Sequence, residues 1–312
     1  MQTNIECDLC GSEKSMPFLE LPQVPFNLVA CSECGLVYLD PRPSPEELGQ
    51  YYSTNYYTSQ AAQLIKPTFH QFFKKLAYRA RCESSDGITP LNRTTKRVVA
   101  TLLGWHAFRP VPVCNQGRLL DVGCGNGEYA AWIRDNIKGW KVEGVEVNEY
   151  AATQAREAFG LRVYIGHLPN LHLPESHYDM ISFWHSLEHM YSPSSGIRES
   201  HRLLRNNGVL AIEVPNISCW EAKFIGANWY HLSVPLHLYH FTPTTLSKMI
   251  QSNGFRIISM KQVHGNASIL DAVNTNKIAL PSFLKPLVKI AAHTLGRQSA
   301  WALRVYAIKT YP

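Results

Sequence analysis

From Arg118 to Lys309 the chain alternates short apolar runs with segments whose apolar residues recur every three or four positions. The runs predict buried strands, and the three-to-four spacing predicts helices that pack through one face. Alternation of the two is typical of a parallel sheet covered by helices. We therefore expect an α/β fold with a doubly wound sheet. Its seven predicted strands span residues 118–122, 141–147, 161–165, 178–184, 209–214, 255–263 and 301–309.

Capping residues mark where the helices between these strands begin and end. Asn148 is a good N-cap for the helix after the second strand, and Gly160 ends that helix. Thr242-Pro243 begins a later helix, which Gly254 ends. Two more helices are predicted over residues 127–136 and 194–205, the second ending in Asn-Asn-Gly. Together these elements predict a seven-stranded, Rossmann-like sheet with helices on both faces.

The first 110 residues have a different pattern. Residues 1–45 are rich in Cys, Pro and Gly and lack a long periodic segment, which suits a small module held by a metal. Alternate prolines from Pro41 to Pro45 close this module, because they favour extended chain. Helical spacing of apolar residues then continues through residues 46–110. We expect a metal-binding module at 1–45, a helical cap or linker at 46–110, and the α/β domain at 111–312.

Composition and charge narrow the class of protein. No apolar run approaches the roughly 20 residues that cross a bilayer, and the N-terminus lacks the secretory pattern. We expect a cytoplasmic protein, in which paired cysteines indicate metal more often than disulfides. Residues 1–60 contain two basic and eight acidic side chains, for a charge of −6; residues 61–118 contain ten basic and two acidic ones, for +8. A solvated helix face is the favoured interpretation of this basic segment, ahead of nucleic-acid binding.

Two cysteine pairs predict a metal site. Cys7 and Cys10 form one Cys-x-x-Cys knuckle, and Cys31 and Cys34 form a second. Two such knuckles supply four thiolates for a tetrahedral ion and leave no open position, so we expect structural Zn²⁺. A redox pair needs only one Cys-x-x-Cys and is less favoured. The acidic charge around the knuckles disfavours phosphate binding, so contact with protein or closure over substrate fits this zinc ribbon better.

A glycine loop and two carboxylates predict a cofactor site. Gly-x-Gly-x-Gly, at residues 123–127, comes directly after a strand and opens a helix. Glycines there allow close approach of a ligand to backbone N–H groups. Asp121 precedes the loop, where it would repel a pyrophosphate and attract an amino group. Glu146 ends the second strand, where a carboxylate accepts both hydroxyls of a ribose.

This constellation resembles the cofactor site of class I S-adenosylmethionine-dependent methyltransferases, over residues 118–309. The resemblance implies that Asp121 and the loop hold the methionine portion and that Glu146 holds the ribose. The superfamily often has an acidic residue for the adenine amino group, but His167 is found here, so the Leu168 backbone is expected to serve. The cofactor-binding residues expected in all are Asp121, Gly123, Cys124, Gly125, Gly127, Glu146, Val147, His167, Leu168 and Trp184.

Histidines follow the fourth and fifth predicted strands, at the carboxyl edge of the sheet where ligands bind. Methyl transfer to a hydroxyl needs a base, and histidine titrates near neutrality. The competing interpretation is structural, because Leu-Glu-His resembles a recurrent feature of the ubiquinone-methylase-like branch. A metal on His185 and His189 is a minor alternative, since no long helix places both on one face. The catalytic candidates are His185, His237, Glu188, His189 and His240, with His185 and His237 favoured.

The combined layout is similar to a narrower group of zinc-ribbon methyltransferases that act on sugars and cell-surface glycans. The resemblance rests on the paired cysteines, the glycine loop, Leu-Glu-His and Pro-Leu-His-Leu-Tyr-His-Phe at 235–241. Sugar C-methyltransferases add a large third domain, whereas about a hundred residues follow the fifth strand here. We therefore expect O-methylation of a small molecule, saccharide or glycan precursor, ahead of C-methylation of a nucleotide sugar.

Two further points stay open in the sequence. An RNA base methyltransferase is the second candidate, supported by the basic segment but lacking an Asn-Pro-Pro-Tyr motif for a flipped base. Residues 280–293 are amphipathic and basic. A lid or a dimer contact is the favoured interpretation of this segment, ahead of contact with a membrane surface. Nucleic acid is therefore not the expected partner, and the oligomeric state is undetermined.

Overall fold

A computed structural model describes residues 1, 3, 5–22, 24–51, 116–263 and 300–310. Its strands, in chain order, are β1 (Ser15–Leu19), β2 (Asn27–Cys31), β3 (Val37–Asp40), β4 (Gly117–Val122), β5 (Trp140–Glu146), β6 (Arg162–Ile165), β7 (Tyr178–Trp184), β8 (Leu204–Pro215), β9 (Tyr239–His240), β10 (Phe255–Val263) and β11 (Ala302–Lys309). Its α-helices are α1 (Pro45–Tyr51), α2 (Glu128–Asn136), α3 (Glu149–Phe159), α4 (Pro193–Leu203), α5 (Trp220–Ile225) and α6 (Pro243–Ser252). Four short 3₁₀ turns span Leu168–Asn170, Leu187–His189, Gly226–Asn228 and Tyr230–Leu232.

Seven strands form the predicted sheet, in the order β10-β11-β8-β7-β4-β5-β6. The β4–β5, β5–β6, β4–β7 and β7–β8 pairs are parallel, and β11 is antiparallel to both of its neighbours. The chain moves outward from β4 in one direction and then returns to the other side of it. This reversal places the carboxyl ends of β4, β5 and β7 around a crevice at one edge. The α/β doubly wound fold is thereby confirmed.

The capping residues act as the sequence predicts. The Asn148 side chain accepts a hydrogen bond from the Ala151 N–H (2.9 Å), and Gly160 ends α3 in the left-handed region. Thr242 caps α6 by accepting from the Thr245 N–H at 3.1 Å. These side chains satisfy backbone groups that a helix end would leave unpaired.

The boundary between α4 and β8 differs from the prediction. The helix ends at Leu203, two residues before the predicted end, and β8 begins at Leu204. Leu204 pairs with Tyr178 on β7, and the next pairing is between Val209 and Met180. The Asn-Asn-Gly segment therefore forms a bulge within the strand. Burial of Leu204 between neighbours overrides the turn preference of the residues that follow it.

A second, four-stranded antiparallel sheet has the order β1-β2-β3-β9. Its first three strands belong to the expected metal-binding module, but β9 comes from the segment after β8. The module therefore packs on the α/β domain through a shared sheet and a continuous apolar core. Within the expected 46–110 region the structure describes only residues 46–51, which belong to α1. The rest of that region and residues 280–293 lie outside the described residues.

Helix length and polarity bear on membrane contact. No helix in the described part of the chain is both long and apolar enough to span a bilayer.

Candidate active site and metal centre

The glycine loop lies between β4 and α2 and takes a conformation that requires glycine. Gly123, Gly125 and Gly127 all have positive φ, at 73°, 56° and 79°. A Cβ added to Gly123 would lie 2.4 Å from the Cβ of Ser186, whereas one added to Gly125 would meet nothing within 4 Å. The loop is thus closely packed on the β7 side and open at its tip. An open tip with accessible backbone suits a bound ligand.

Asp121 and Glu146, the two carboxylates expected to bind the cofactor, are both buried beside this loop. The Ser182 hydroxyl donates to Asp121 Oδ1 at 2.6 Å. The N–H groups of Gly125 (2.8 Å) and Asn148 (2.9 Å) donate to the two Glu146 oxygens. Burial raises the pKa of Glu146, although these backbone hydrogen bonds act in the opposite direction. The two carboxylates, from adjacent strands, therefore converge on the loop.

The other expected cofactor residues divide into exposed and packed ones. Val147 is 47% exposed directly after β5. His167 is exposed beyond β6, and Leu168 is buried beneath it. The remaining two, Cys124 and Trp184, are buried and pack in a separate apolar cluster under the loop. Because these two side chains are packed in the core, a direct contact with cofactor would come from their backbone.

A charged network joins the ends of β7, β8 and β11. His185 Nε2 lies 3.1 Å from Glu213 Oε1, and His185 Nδ1 lies 3.4 Å from Glu188 Oε1. Arg304 Nε donates to the other Glu213 oxygen. Burial alone would lower the pKa of His185, but its interactions with the two carboxylates raise that pKa to about 9. Burial alone would raise the pKa of Glu213, but its interactions with His185 and Arg304 lower that pKa to about 2.

His237 and His189 lie next to Glu188 on the other side of this network. The His237 Nδ1 hydrogen-bonds the His231 carbonyl oxygen at 3.0 Å, and its Nε2 lies 4.0 Å from Glu188 Oε1. The His189 and His237 rings are perpendicular, with centroids 4.6 Å apart. Burial lowers the pKa of both histidines, so both imidazoles are neutral near pH 7. A neutral imidazole with one nitrogen donating has its other nitrogen available as an acceptor or ligand.

His240 differs from the other candidates. It is buried in β9, and neither ring nitrogen hydrogen-bonds any described residue. Burial lowers its pKa to about 3. Its ring centroid is 6.2 Å from that of His237, so it packs behind the cluster.

Three residues of the network were missed as site residues by the sequence analysis: Trp301, Glu213 and Arg304. Trp301 stacks with the His185 and His231 rings, at centroid distances of 5.5 and 4.3 Å. Glu213 and Arg304 are opposite each other in the β8–β11 register. A glutamate inside an otherwise apolar strand is the one signal that the sequence offered, since buried charges need partners. Nothing local indicated its partner, which is 91 residues away.

The four knuckle cysteines come together as predicted. Their Sγ atoms all lie within 4.8 Å of one another, and the Cys7–Cys34 and Cys10–Cys31 pairs are 3.5 Å apart. A tetrahedral zinc ion with bonds of about 2.3 Å places its sulfurs about 3.8 Å apart, so the four thiols fit such an ion. The glycine after each knuckle has positive φ, 72° and 78°.

The knuckle containing Cys7 also contacts the α/β domain directly. Asp8 accepts hydrogen bonds at the start of α4, from the Ser194 N–H (2.7 Å) and the Ser192 hydroxyl (2.6 Å). Arg42 is buried, donates to the Tyr191 carbonyl oxygen at 3.1 Å and lies over the Tyr239 ring. These contacts join the four-cysteine cluster to the segment that follows the histidine cluster.

The comparisons with known proteins agree with this geometry. A family model described as a methyltransferase domain matches residues 57–260. The chain therefore belongs to the methyltransferase domain family, among the class I S-adenosylmethionine-dependent methyltransferases. That matches the resemblance drawn from the glycine loop and its two carboxylates.

Individual relatives are similar over part of their length. A Mycolicibacterium smegmatis protein named "Probable S-adenosylmethionine-dependent methyltransferase" is 26% identical over 147 residues, covering 46% of this chain and 54% of that protein. The 27-O-demethylrifamycin SV methyltransferase of Amycolatopsis mediterranei is 27% identical over 178 residues, covering 55% and 59%. The chain thus spans about half the length of the curated relatives it matches.

A solved structure shares the fold. It is the complex of the Haloferax volcanii Trm112 methyltransferase activator with a methyltransferase, matched with a TM-score of 0.51 and 13% identity. The match covers 79% of this chain and 100% of that one. At this identity the likeness concerns the fold.

Proposed function

We propose that the protein transfers a methyl group from S-adenosylmethionine to a hydroxyl of a small molecule, saccharide or glycan precursor. One observation carries the proposal: two buried carboxylates lie beside an open glycine loop. His185, the first residue of the histidine cluster, directly precedes Ser186, which packs against that loop. Ser186 makes that connection, since it packs against Gly123 and donates to the Val122 carbonyl oxygen at 2.5 Å. Cofactor and acceptor would therefore meet at the carboxyl ends of β4 and β7.

The cofactor residues fit S-adenosylmethionine. When bound, this cofactor supplies an electrophilic methyl group on a sulfonium ion. Asp121 would hold the amino group of the methionine portion, because a buried carboxylate binds a cation strongly. Glu146 would accept the ribose hydroxyls at the end of β5. Val147 and Ile165, 47% and 38% exposed, offer apolar contact for the adenine ring, and the Leu168 backbone offers its polar contact.

The acceptor would bind at the histidine cluster. His185 hydrogen-bonds Glu213 and lies 3.4 Å from Glu188, so its role would be to position these two carboxylates. The Nε2 of His237 faces Glu188, and His189 lies beside both residues. These three side chains would contact the acceptor hydroxyl. His240, which is buried behind this group, has a packing role. Holding an acceptor in line with the methyl group is the main contribution that a protein makes to this reaction.

The four-cysteine site would hold structural Zn²⁺. All four positions are filled by thiolates, which leaves none for a substrate. We also place the protein in the cytoplasm, where a reducing environment keeps such thiols available.

Two features favour O-methylation of a small acceptor. One similar protein is named as a methyltransferase of 27-O-demethylrifamycin SV, a small molecule methylated on oxygen. The zinc module is acidic, which disfavours a nucleic-acid partner. C-methylation of a nucleotide sugar and methylation of an RNA base remain the competing functions.

Incubation with methyl-labelled S-adenosylmethionine tests the proposal. A panel of hydroxylated natural products and sugar nucleotides is screened by mass, and we expect a gain of one methyl group on oxygen. A product methylated on carbon would support the C-methyltransferase alternative instead. RNA binding that weakens steeply with salt, with label in RNA, would favour the RNA alternative.

A further inference from the structure

Glu188, His189 and His237 form a compact group apart from the four cysteines. One ligand-type atom from each lies within 4.8 Å of the others, and Glu188 is fully buried. No described residue hydrogen-bonds either carboxylate oxygen, although His185 Nδ1 is 3.4 Å from Oε1. A buried carboxylate without hydrogen bonds is costly, and coordination of a cation is one of the few ways to offset that cost.

The surroundings hold both imidazoles as ligands would be held. His237 Nδ1 is engaged by the His231 carbonyl oxygen at 3.0 Å, which leaves Nε2 facing Glu188. The His189 ring likewise hydrogen-bonds a backbone carbonyl, that of Leu236. Histidines that bind metals almost always donate their second ring nitrogen to a carbonyl or carboxylate, which fixes the ring and its tautomer.

Glu188 has fewer side-chain hydrogen bonds than Glu213 within the same network. His185 is shared between Glu188 and Glu213, and Glu213 also interacts with Arg304. His185 lies closer to Glu213, at 3.1 Å, than to Glu188, at 3.4 Å. Glu188 Oε2 has no described hydrogen-bond partner at all. A cation between Glu188 and the two imidazoles would supply the direct contact that this carboxylate lacks.

We propose that Glu188, His189 and His237 bind a divalent first-row transition-metal ion. Two imidazole nitrogens and one carboxylate suit such ions, whereas Mg²⁺ and Ca²⁺ prefer oxygen alone. Three protein ligands leave positions open, unlike the four-cysteine site. If the proposed function holds, on which this part rests, the acceptor's hydroxyl oxygen would occupy one of the open positions on the ion. There the ion would lower the pKa of the hydroxyl, whose proton would be released to solvent. The oxygen would then form a bond to the methyl carbon while the sulfur–methyl bond of the sulfonium breaks, and the neutral thioether S-adenosylhomocysteine would leave.

Mn²⁺ binding to the full-length protein tests the proposal. The protein is dialysed against EDTA until one zinc per chain remains, and Mn²⁺ is then titrated while its free electron paramagnetic resonance signal is followed. We expect one bound Mn²⁺ per chain, with echo modulation from imidazole nitrogen. His237→Gln and Glu188→Gln are expected to weaken binding at least about tenfold, since loss of even an outer partner of a metal has that effect. His172→Gln, which alters an exposed histidine, is the control and leaves it unchanged.

The readouts separate this inference from the proposed function. Zinc content and S-adenosylmethionine affinity are measured on each variant, so that a folding defect is recognised. Nitrogen modulation in the wild-type protein decides the question even where a variant fails to fold. Absence of bound Mn²⁺, bound Mn²⁺ without nitrogen modulation, or equal affinity in folded variants would overturn the metal site. If Mn²⁺ does not bind but S-adenosylmethionine does, the metal site is wrong and the methyltransferase proposal stands. If Mn²⁺ binds and S-adenosylmethionine does not, the metal site stands and the methyltransferase proposal is wrong.

Discussion

Gly123 shows how a single residue determines whether the cofactor loop closes against β7. Its φ of 73° is unfavourable for any side chain, and an added Cβ would be 2.4 Å from that of Ser186. Gly125 shares the positive φ, at 56°, but has open space around it. The two positions therefore separate the effect of backbone conformation from the effect of packing.

Gly123→Ala should lower the free energy of unfolding more than Gly125→Ala. Positive φ costs each alanine about 1–2 kcal/mol, and overpacking costs Gly123→Ala a further 1–3 kcal/mol or so. Urea unfolding of both variants measures the difference. Equal destabilisation would show that Ser186 moves aside and that the loop is not held against β7.

Glu146 predicts how cofactor affinity depends on pH. Burial raises its pKa above the ordinary value of 4.5, so in the free protein the neutral form persists to higher pH than usual. The neutral carboxyl stabilises the free protein relative to its unfolded state, and this contribution is lost as pH rises through the raised pKa. Above that pKa the ionised form, which accepts the ribose hydroxyls, dominates. Affinity for S-adenosylmethionine should therefore increase with pH above 4.5 until Glu146 is ionised.

Calorimetric titrations between about pH 5 and pH 8 measure this dependence. Glu146→Gln removes the titrating group and serves as the matched variant, with weaker and flatter affinity. A wild-type profile as flat as that of the variant would contradict the role given to this carboxylate.

Helix α4 connects the four-cysteine cluster to the seven-stranded sheet through Asp8. This side chain accepts from the Ser194 N–H at the first turn of the helix, as an N-cap would. Asp8→Ala should lower the free energy of unfolding by about 1 kcal/mol while leaving one zinc per chain. Thermal unfolding with metal analysis checks this, and the exposed Glu13→Ala is the control. An unchanged midpoint for Asp8→Ala would mean that the knuckle does not support α4.

The seven strands of the large sheet and helices α2, α3, α4 and α6 could be predicted because each carries a local signal. Apolar runs identify the strands, and caps such as Asn148 and Thr242 identify helix starts. The two residues of β9 carry no such signal, since a pattern needs more residues than that. Its pairing with β3 depends on the packed structure of both domains.

The site shows the same division between local and distant signals. Asp121, the glycines and Glu146 come from motifs with fixed spacing, so the sequence alone is enough to propose them as cofactor residues. The Glu213–Arg304 pair depends on the register of two antiparallel strands, which spacing does not reveal. Trp301 was read only as part of a strand, because its stacking on His185 requires the same register.

For the whole molecule, two backbone hydrogen bonds connect the four-cysteine module to Glu188 in the proposed acceptor site. The Leu39 N–H in β3 donates to the Leu238 carbonyl oxygen at 3.0 Å, and the Leu238 N–H donates to the Glu188 carbonyl oxygen at 2.9 Å. The cofactor loop has no part in these two hydrogen bonds. Loss of the metal should therefore affect acceptor binding before it affects cofactor binding.

Cys31→Ser is expected to lose zinc and methyl transfer while S-adenosylmethionine affinity stays within about threefold, under 1 kcal/mol. Metal analysis, calorimetry and the methylation assay provide the three readouts. Cys219→Ser is the control, because this thiol caps α5 by accepting from the Ala222 N–H, and serine serves there equally. Full methyl transfer by zinc-free protein would separate the module from the acceptor site.

The most direct test of the central claim is calorimetric titration of S-adenosylmethionine into the wild-type protein and Glu146→Ala. The wild type should bind one equivalent. The variant should bind about 10- to 100-fold more weakly, as expected when a hydrogen-bonded charge is removed. Glu149→Ala, exposed at the start of α3, should match the wild type. No binding by the wild-type protein, or equal affinity in Glu146→Ala, would contradict the assignment of this crevice as the cofactor site.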